Sequence, residues 1–466
     1  MNMNVVLRDV GILLKYMSPV FLLPIIVALI YEEYFTIIYF VLASLPMFAL
    51  GVILEKAFQT DEKTSLKESL VTVSLIWLVI TLIATIPYIG IEQISLLDAA
   101  FETMSAWTTT GFSLLVPEDL GRTMLFYRSM QQWFGGVGIV VLALAGLFKT
   151  GSSLYYAEAR TDKIMPNILN TVKMIWGIYA LYTIAGAALL ALLGMSVFDA
   201  VNHSMTSIAT GGLSTHSESI GYYNNPYIEF VVILIMIVGS VSFLSHYDLI
   251  NGKVKKFYND VFVRSLILAI IAGTLFVFNE MGFRTGLFTV VSAISSTGFN
   301  LDDIALWPHF SSFALIILML VGGCAGATAS GIKINRIVVV LKSIWWSVKR
   351  IRHPRHIFSR KFGNVSYNYI IVGEIFKFVA LYLIFVVMGI FVFMYGGCVE
   401  DGHDTGCDMN TSIFQSVSAI GNSGLSVMSN YTPLGKIMAI FLMWIGRLEI
   451  WAIVIFLGYL AVKSNK

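Results

Sequence analysis

Four stretches of the chain carry one small, polar signature: SAWTTTGFS at 105–113, TSIATGGLS at 206–214, SAISSTGFN at 292–300 and SAIGNSGLS at 418–426. Aligned on Gly111, Gly212, Gly298 and Gly424, each has Ser or Thr six residues earlier and Ala or Ser five earlier. Phe or Leu follows each glycine directly (Phe112, Leu213, Phe299, Leu425). Ten residues before the glycine stand Phe101, Asn202, Phe288 and Phe414. The chemistry open to such segments is cation coordination by backbone carbonyls. Small or hydroxylated residues let carbonyls turn toward one axis, and glycine supplies the positive φ that such a path needs. A ring of carbonyls then replaces the hydration shell of the ion. The candidate ion-binding residues are Thr109, Thr110 and Gly111; Thr210, Gly211 and Gly212; Ser296, Thr297 and Gly298; and Asn422, Ser423 and Gly424. Close helix packing by small residues would account for any one of these segments alone. Four in register, each between two apolar stretches, point to a common ring.

A second set of residues concerns control of passage. The run Gly322-Gly323-Cys324-Ala325-Gly326-Ala327-Thr328-Ala329-Ser330-Gly331 interrupts a long apolar segment, with four glycines in ten residues. It reads as a broken helix whose loop sits within the membrane, either an obstruction below the ring (Gly322, Gly323, Gly326, Gly331) or a packing kink. Arg447 lies deep in the last apolar segment, where a charge costs roughly 2.5–3.5 kcal/mol on insertion scales unless it faces a cavity or a partner. It is either a fixed positive charge below the ring or half of a salt bridge, to Glu374 or another buried carboxylate. Lys333 reads as an interfacial anchor for the second half-helix. Cys398 and Cys407, in one acidic connection, could pair, whereas Cys324 reads as a small packing residue. His203, His216 and His246 have no metal-ligand spacing. No HExxH, Walker-type loop or triad-like set occurs, so the chain does not read as an enzyme, and it carries no cofactor motif.

These residues must be held by a membrane fold. Of the 466 residues 57% are hydrophobic and 12% charged, against about 25% charged in soluble domains. The mean hydropathy is +0.80. A formal charge of +2 gives no reason to expect nucleic acid. Apolar stretches run at about 11–31, 34–54, 70–90, 123–147, 174–195, 226–246, 262–281, 307–345, 369–395 and 434–462. At about 20 residues per crossing these make ten spans, helical because lipid offers backbone groups no other partner and the alternation of a barrel is absent. Segments 1–15, 56–69, 148–173, 252–264, 333–361 and 463–466 hold 24 of the 30 lysines and arginines. The positive-inside rule makes them cytoplasmic, along with both termini. The basic stretch 349–361 reads as a lipid-headgroup contact or a docking surface.

The expected fold is therefore an all-α integral membrane protein: two N-terminal spans plus four helix–pore-loop–helix repeats around one pseudo-fourfold pore. The expected divisions are 1–69 for the extra spans, then 70–150, 151–251, 252–361 (with the broken second helix) and 362–466 for the repeats.

On these motifs the chain resembles the Trk/Ktr/HKT superfamily of potassium transporters over essentially its whole length. The resemblance also rests on Tyr127–Gly138 (YRSMQQWFGGVG), on His216 and Ser217, on the Gly322–Lys333 break, and on Gly446-Arg447. The two extra spans look like the bacterial Trk branch rather than the shorter Ktr branch. The resemblance implies K⁺ as permeant, with Rb⁺ as a surrogate, and residence in the bacterial inner membrane. It further implies a homodimer, a cytoplasmic ring of nucleotide-binding regulatory subunits, a gating role for the loop, and the family's last-span arginine at Arg447. Glycine at Gly111, where a serine accompanies sodium permeation in the family, favours potassium. The competing class is a cation–proton or cation–sodium symporter, marked by a buried carboxylate beside the ion path. Glu374 and Glu449 are the deep candidates, and neither adjoins a ring motif.

Overall fold

The structure is a computed structural model that describes residues 2–138, 168–352, 361–362, 365–366, 369–400, 403–428, 430–448 and 450–464. The end of the 123–147 stretch, residues 148–167 of the basic segment 148–173, Arg355, Arg360, Glu449 and Lys466 lie outside the described residues.

The chain opens with α1 (Met3–Met17), which runs through a tight turn at Ser18–Leu22 into α2 (Pro24–Ile30), and returns along α3 (Ile37–Ala57). Helix α4 (Leu66–Ile91) starts at a reciprocal cap: Ser65 accepts from the Glu68 N–H while the Glu68 carboxylate accepts from the Ser65 N–H. That arrangement satisfies two of the donors a helix start leaves open. There follow α5 (Leu96–Trp107), α6 (Arg122–Val137), α7 (Ile168–Leu192), α8 (Val197–Ile208), α9 (Pro226–Ser240), α10 (Phe243–Ile250), α11 (Val254–Tyr258), α12 (Val261–Met281), α13 (Phe283–Ile294), α14 (His309–Val321) and α15 (Ile334–Arg352). A two-residue hairpin of β1 (Lys361–Phe362) and β2 (Val365–Ser366) leads to α16 (Tyr369–Gly396). A second hairpin pairs β3 (Cys398–Glu400) with β4 (His403–Thr405), and the chain closes with α17 (Met409–Gly421), α18 (Pro433–Leu448) and α19 (Ile450–Ser464).

Among the described residues, six helical segments are long and apolar enough to cross a bilayer: Met3–Ile30, Tyr34–Ala57, Leu66–Ile91, Asn170–Leu192, Val261–Met281 and Tyr369–Gly396. Two further spans are bent pairs, α9 with α10 at 108° and α18 with Ile450–Tyr459 of α19 at 114°. The other two expected crossings begin with α6, whose continuation lies outside the described residues, and comprise α14 and α15 around the Gly322–Lys333 break. Large apolar side chains such as Phe35, Ile184, Leu192 and Tyr395 are more than two-thirds exposed, which suits hydrocarbon and not water.

The sequence reading names one break, in α14–α15, and the second helix is also broken after Ser240 and after Leu448. At the first of these, Val241 is extended (φ −95°, ψ 145°) and Ser242 caps the new helix by accepting from the Leu244 N–H at 3.2 Å. One serine and one extended residue suffice there, without a glycine cluster to announce the break.

Four short helices, α5, α8, α13 and α17, are 12, 12, 12 and 13 residues long. At about 1.5 Å per residue they reach only a little over half of a ~30 Å hydrocarbon layer. Ser95, Ser196 and Asp408 cap three of them, while α13 starts directly from Gly282.

Candidate functional site

All four short helices end in the same way. Thr109, Thr210, Ser296 and Asn422 adopt left-handed φ values of 56°, 53°, 57° and 47°. Each N–H donates to the carbonyl three residues back (Ala106, Ser207, Ala293, Ala419) at 3.1–3.2 Å. The next N–H donates five residues back, to Ser105, Thr206, Ser292 and Ser418, at 2.9 Å in every case. This paired-bond helix terminus ordinarily takes glycine at its left-handed position. A β-branched or polar residue there costs on the order of 1–3 kcal/mol and persists only where the surroundings enforce it.

Two residues on, Gly111, Gly212, Gly298 and Gly424 again have positive φ, at 93°, 73°, 92° and 75°. What each glycine touches defines the site. A Cβ on Gly111 would lie 2.2 Å from the Gly211 carbonyl oxygen, one on Gly212 2.0 Å from that of Thr297, one on Gly298 2.3 Å from that of Ser423, and one on Gly424 2.0 Å from that of Thr110. The contacts run from the first loop to the second, third and fourth and back to the first. The four loops therefore form a closed ring, each glycine against the carbonyl of its neighbour.

The ring is pinned from behind. Ser105 Oγ and Ser418 Oγ donate to the Phe112 and Leu425 carbonyls at 2.6 Å, and the Gly298 N–H donates to Ser292 Oγ at 3.0 Å. The equivalent Thr206 bonds back to Asn202 within its own helix, and Gln132 of α6 replaces it. Its amide donates to the Gly211 carbonyl at 2.7 Å and its oxygen accepts from the Leu213 N–H at 3.1 Å. Asn422 Nδ2 reaches Thr110 Oγ1 at 2.9 Å, linking the fourth loop to the first. Phe112, Leu213, Phe299 and Leu425 are buried wedges. Ser296 Oγ, Ser423 Oγ and Asn422 Oδ1 are buried with no hydrogen-bond partner among the described residues, in a ring otherwise built of carbonyls.

On one side the following loops are tied together. Glu118 accepts from the Ser217 N–H at 2.7 Å and from its hydroxyl, the Gly221 N–H donates to the Asn300 carbonyl at 3.3 Å, and Lys436 pairs with Asp98. Partial burial works against the charge on Glu118, but the two Ser217 bonds hold its carboxyl below the usual range. The Cys398–Cys407 disulfide is formed, with a Cα–Cα distance of 5.1 Å.

On the other side lies the Gly322–Lys333 loop, its ends pinched together: a Cβ on Gly322 would sit 2.1 Å from the Ser330 oxygen. Gly322, Gly326 and Gly331 have φ of 69°, 75° and 90°, whereas Gly323 needs no such freedom. The loop is fastened to the α9–α10 break by Cys324 N–H to the Ser240 carbonyl (2.9 Å), Thr328 N–H to Gly239 (3.1 Å) and Phe243 N–H to Gly326 (3.0 Å). Thr328 Oγ1 lies 2.9 Å from the Ile208 carbonyl, 2.7 Å from that of Gly239 and 3.4 Å from Thr210 Oγ1, directly behind the ring. Arg447, only 4% exposed, donates to Thr109 Oγ1 at 3.2 Å, to the Thr328 carbonyl at 2.9 Å, to Gly136 at 2.7 Å and to Gly135. It therefore connects ring, loop and α6.

Several sequence readings change. Glu374 is not the partner of Arg447: it pairs with Lys377 at 2.8 Å and is half exposed near the start of α16. Lys333 is no interfacial anchor, being 1% exposed with φ 80° and its Nζ on the Ala329 carbonyl. Carboxylates do adjoin the ring. Glu102 of α5 is buried against Arg128 (3.7 Å) and Ser113 (3.0 Å), and Asp199 of α8 accepts from Thr215 at 2.7 Å. Both sit outside the aligned motifs, as do Gln132 and Thr328 in their roles, so only the packing of elements reveals them. His203 and His246 are buried and hydrogen-bonded, and His216 stacks on Tyr222. Among the described residues no group of three or more His, Cys, Asp and Glu could hold a metal ion. The ring offers instead carbonyl and hydroxyl oxygens, the donors that hard cations prefer.

The sequence family TrkH, described as "Cation transport protein", matches residues 39–278 and 279–461. An uncharacterized cation transporter of Methanocaldococcus jannaschii is 37% identical over 471 residues, covering 98% of this chain and 96% of that protein. The Trk system potassium uptake protein TrkH of Escherichia coli K12 is 35% identical over 491 residues, covering 98% of both. Among solved structures, the potassium transporter TrkH from Vibrio parahaemolyticus superposes with a TM-score of 0.86 at 29% identity, covering 98% of this chain and 99% of that one.

Proposed function

Because the chain belongs to the TrkH family of cation transport proteins, we propose that it takes up K⁺ through a channel-like pore whose selectivity filter is the four-loop ring. The chain is a multi-pass membrane protein and a transporter rather than an enzyme. The observation that carries the reading is the closed cycle of glycine–carbonyl contacts. Four equivalent backbone segments meeting around one axis can strip and replace the hydration shell of a cation, and a helix end behind each adds its negative dipole. The unpartnered oxygens of Ser296, Ser423 and Asn422 add acceptors at that place.

Beneath the filter the Gly322–Lys333 loop is the gate, latched through Thr328 and held by Arg447. The guanidinium adds a fixed positive charge on the exit path, which raises the barrier to any cation. Opening requires the loop to leave the α9–α10 break. The basic end of α15 supports docking of a cytoplasmic regulatory ring, since nothing in the chain reads as a nucleotide site. Cytoplasmic termini, the division into four repeats and a homodimer complete the proposal.

Symport deserves a specific answer because Glu102 does adjoin the ring. Its carboxylate faces Arg128 and accepts from Ser113 and from two backbone N–H groups. A carboxylate held by these partners favours the passive pore over symport in this reading.

The test is cation flux into proteoliposomes holding this chain, K⁺ against Na⁺, with Gly111→Ser and a variant with a shortened 322–331 loop beside wild type. K⁺-selective flux that Gly111→Ser relaxes toward Na⁺, and that loop shortening raises without changing selectivity, supports filter and gate. Flux that appears only with an imposed proton gradient overturns the passive pore.

A further inference from the structure

A second layer of the fourfold pattern lies just beyond the ring. Two residues after each ring glycine stand Ser113, Ser214, Asn300 and Ser426, and nine residues before it, on the short helices, stand Glu102, His203, Thr289 and Gln415. In three of the four loops these positions meet. Ser113 Oγ lies 3.0 Å from Glu102 Oε1, His203 Nε2 lies 2.9 Å from Ser214 Oγ, and Ser426 Oγ lies 3.2 Å from Gln415 Oε1. His203 Nδ1 faces the Asp199 carbonyl at 2.9 Å. Nδ1 must therefore carry the proton, and Nε2 is left as an acceptor. A carboxylate, an imidazole nitrogen and an amide oxygen thus present the same chemistry to a serine hydroxyl. Each serine also accepts from the N–H two residues on, at 3.0–3.2 Å, which fixes the turn leaving the ring.

The third loop differs. Thr289 Oγ1 has no hydrogen-bond partner among the described residues, and the Asn300 side chain donates to the Asp302 carbonyl at 3.2 Å, while its backbone N–H donates to Ser219 Oγ and its carbonyl accepts from the Gly221 N–H of the second loop, both at 3.3 Å.

Resting on the filter reading above, we infer that Glu102, His203 and Gln415 are positioning residues that brace the outer end of the filter through Ser113, Ser214 and Ser426. The third segment hangs from its neighbour. The brace matters on the account of selectivity in which a carbonyl ring favours the larger ion by resisting closure around the smaller one. In the first loop the brace is strongest: Arg128 donates to Ser113 Oγ at 2.6 Å and lies 3.7 Å from Glu102.

The experiment measures the K⁺-to-Na⁺ flux ratio in proteoliposomes for Glu102→Ala, Glu102→Gln, Gln415→Ala, Ser113→Ala and Thr289→Val. Glu102→Ala leaves Arg128 buried without its acid and can fail to fold; Ser113→Ala keeps that ion pair and tests the same brace. Glu102→Ala, Ser113→Ala and Gln415→Ala each lower the ratio about fivefold, the size of one ordinary hydrogen bond. Glu102→Gln keeps an oxygen for Ser113, as Gln415 serves Ser426, but takes the acid from Arg128 as Glu102→Ala does, so it lowers the ratio less than Glu102→Ala, and Thr289→Val leaves it unchanged. A merely structural role moves thermal stability and leaves the ratio alone, and that result overturns the inference, as does an equal loss in Thr289→Val. A wild-type chain without K⁺ preference takes down the filter reading itself, a separate and recognisable failure.

Discussion

The ring and the layer beneath it are built on opposite plans. In the ring, four segments repeat the same left-handed residue, the same pair of helix-end bonds and the same glycine-to-carbonyl contact. In the layer beneath, the second helix breaks after Ser240, after Val321 and after Leu448, but the elements that meet under the ring differ from unit to unit: the Gly322–Lys333 loop comes from the third and Arg447 from the fourth. The difference teaches how one chain divides its tasks. On the proposed reading, uniform coordination of a spherical ion needs four alike ligands, whereas an obstruction that can be withdrawn needs one unlike element.

The strongest way to break this contrast is at the ring glycines. Gly212→Ala or Gly424→Ala puts a Cβ 2.0 Å from a neighbouring carbonyl oxygen, and K⁺-over-Na⁺ preference in liposome flux falls on the order of tenfold or more. If one of the four glycines tolerates alanine, the ring is not fourfold in function. Arg447→Gln acts on the other layer: flux rises about tenfold, equivalent to about 1.4 kcal/mol of barrier, with the K⁺-to-Na⁺ ratio unchanged. A changed ratio would make the arginine part of the filter. Thr328→Val removes the one proton that the hydroxyl shares between the Ile208 and Gly239 carbonyls, worth about 1 kcal/mol, and raises flux severalfold in the same assay.

Ser296→Gly separates stability from selectivity. It relieves a left-handed φ of 57° at a hydroxyl with no hydrogen-bond partner, so thermal unfolding in detergent shows a gain of about 1 kcal/mol while selectivity declines. A gain in both would remove the reason for keeping serine there. The smallest effect concerns pH. The folded-state carboxyl of Glu118 titrates below its ordinary value, so its tie to Ser217 contributes above that ordinary value. The contribution fades as pH falls through the lowered one. Ser217→Ala abolishes this acid-dependent part of the melting curve, and an unchanged curve sinks the assignment.

Much of the site was legible before any coordinates. The tetrads are contiguous, so the residues that must share a backbone path also share a sequence pattern, and hydropathy located the spans that carry them. Glu102, Gln132 and Thr328 were not legible. Each acts on a segment distant in sequence, at separations set by helix packing, and nothing local distinguishes Gln132 from Gln131. The break after Ser240 was hidden because α9 and the start of α10 read as one apolar stretch, at about 226–246.

By itself, then, the sequence determined that the chain crosses the membrane many times, because lipid leaves unpaired backbone groups only helical solutions. It also determined that four glycine-centred segments are equivalent, because φ restrictions act residue by residue. Tertiary structure alone decided which carbonyl each glycine meets, that Arg447 joins ring to loop instead of pairing with Glu374, and that Lys333 is buried. Those outcomes depend on the relative placement of rigid helices, and pair contacts across hundreds of residues leave no periodic mark in a single chain.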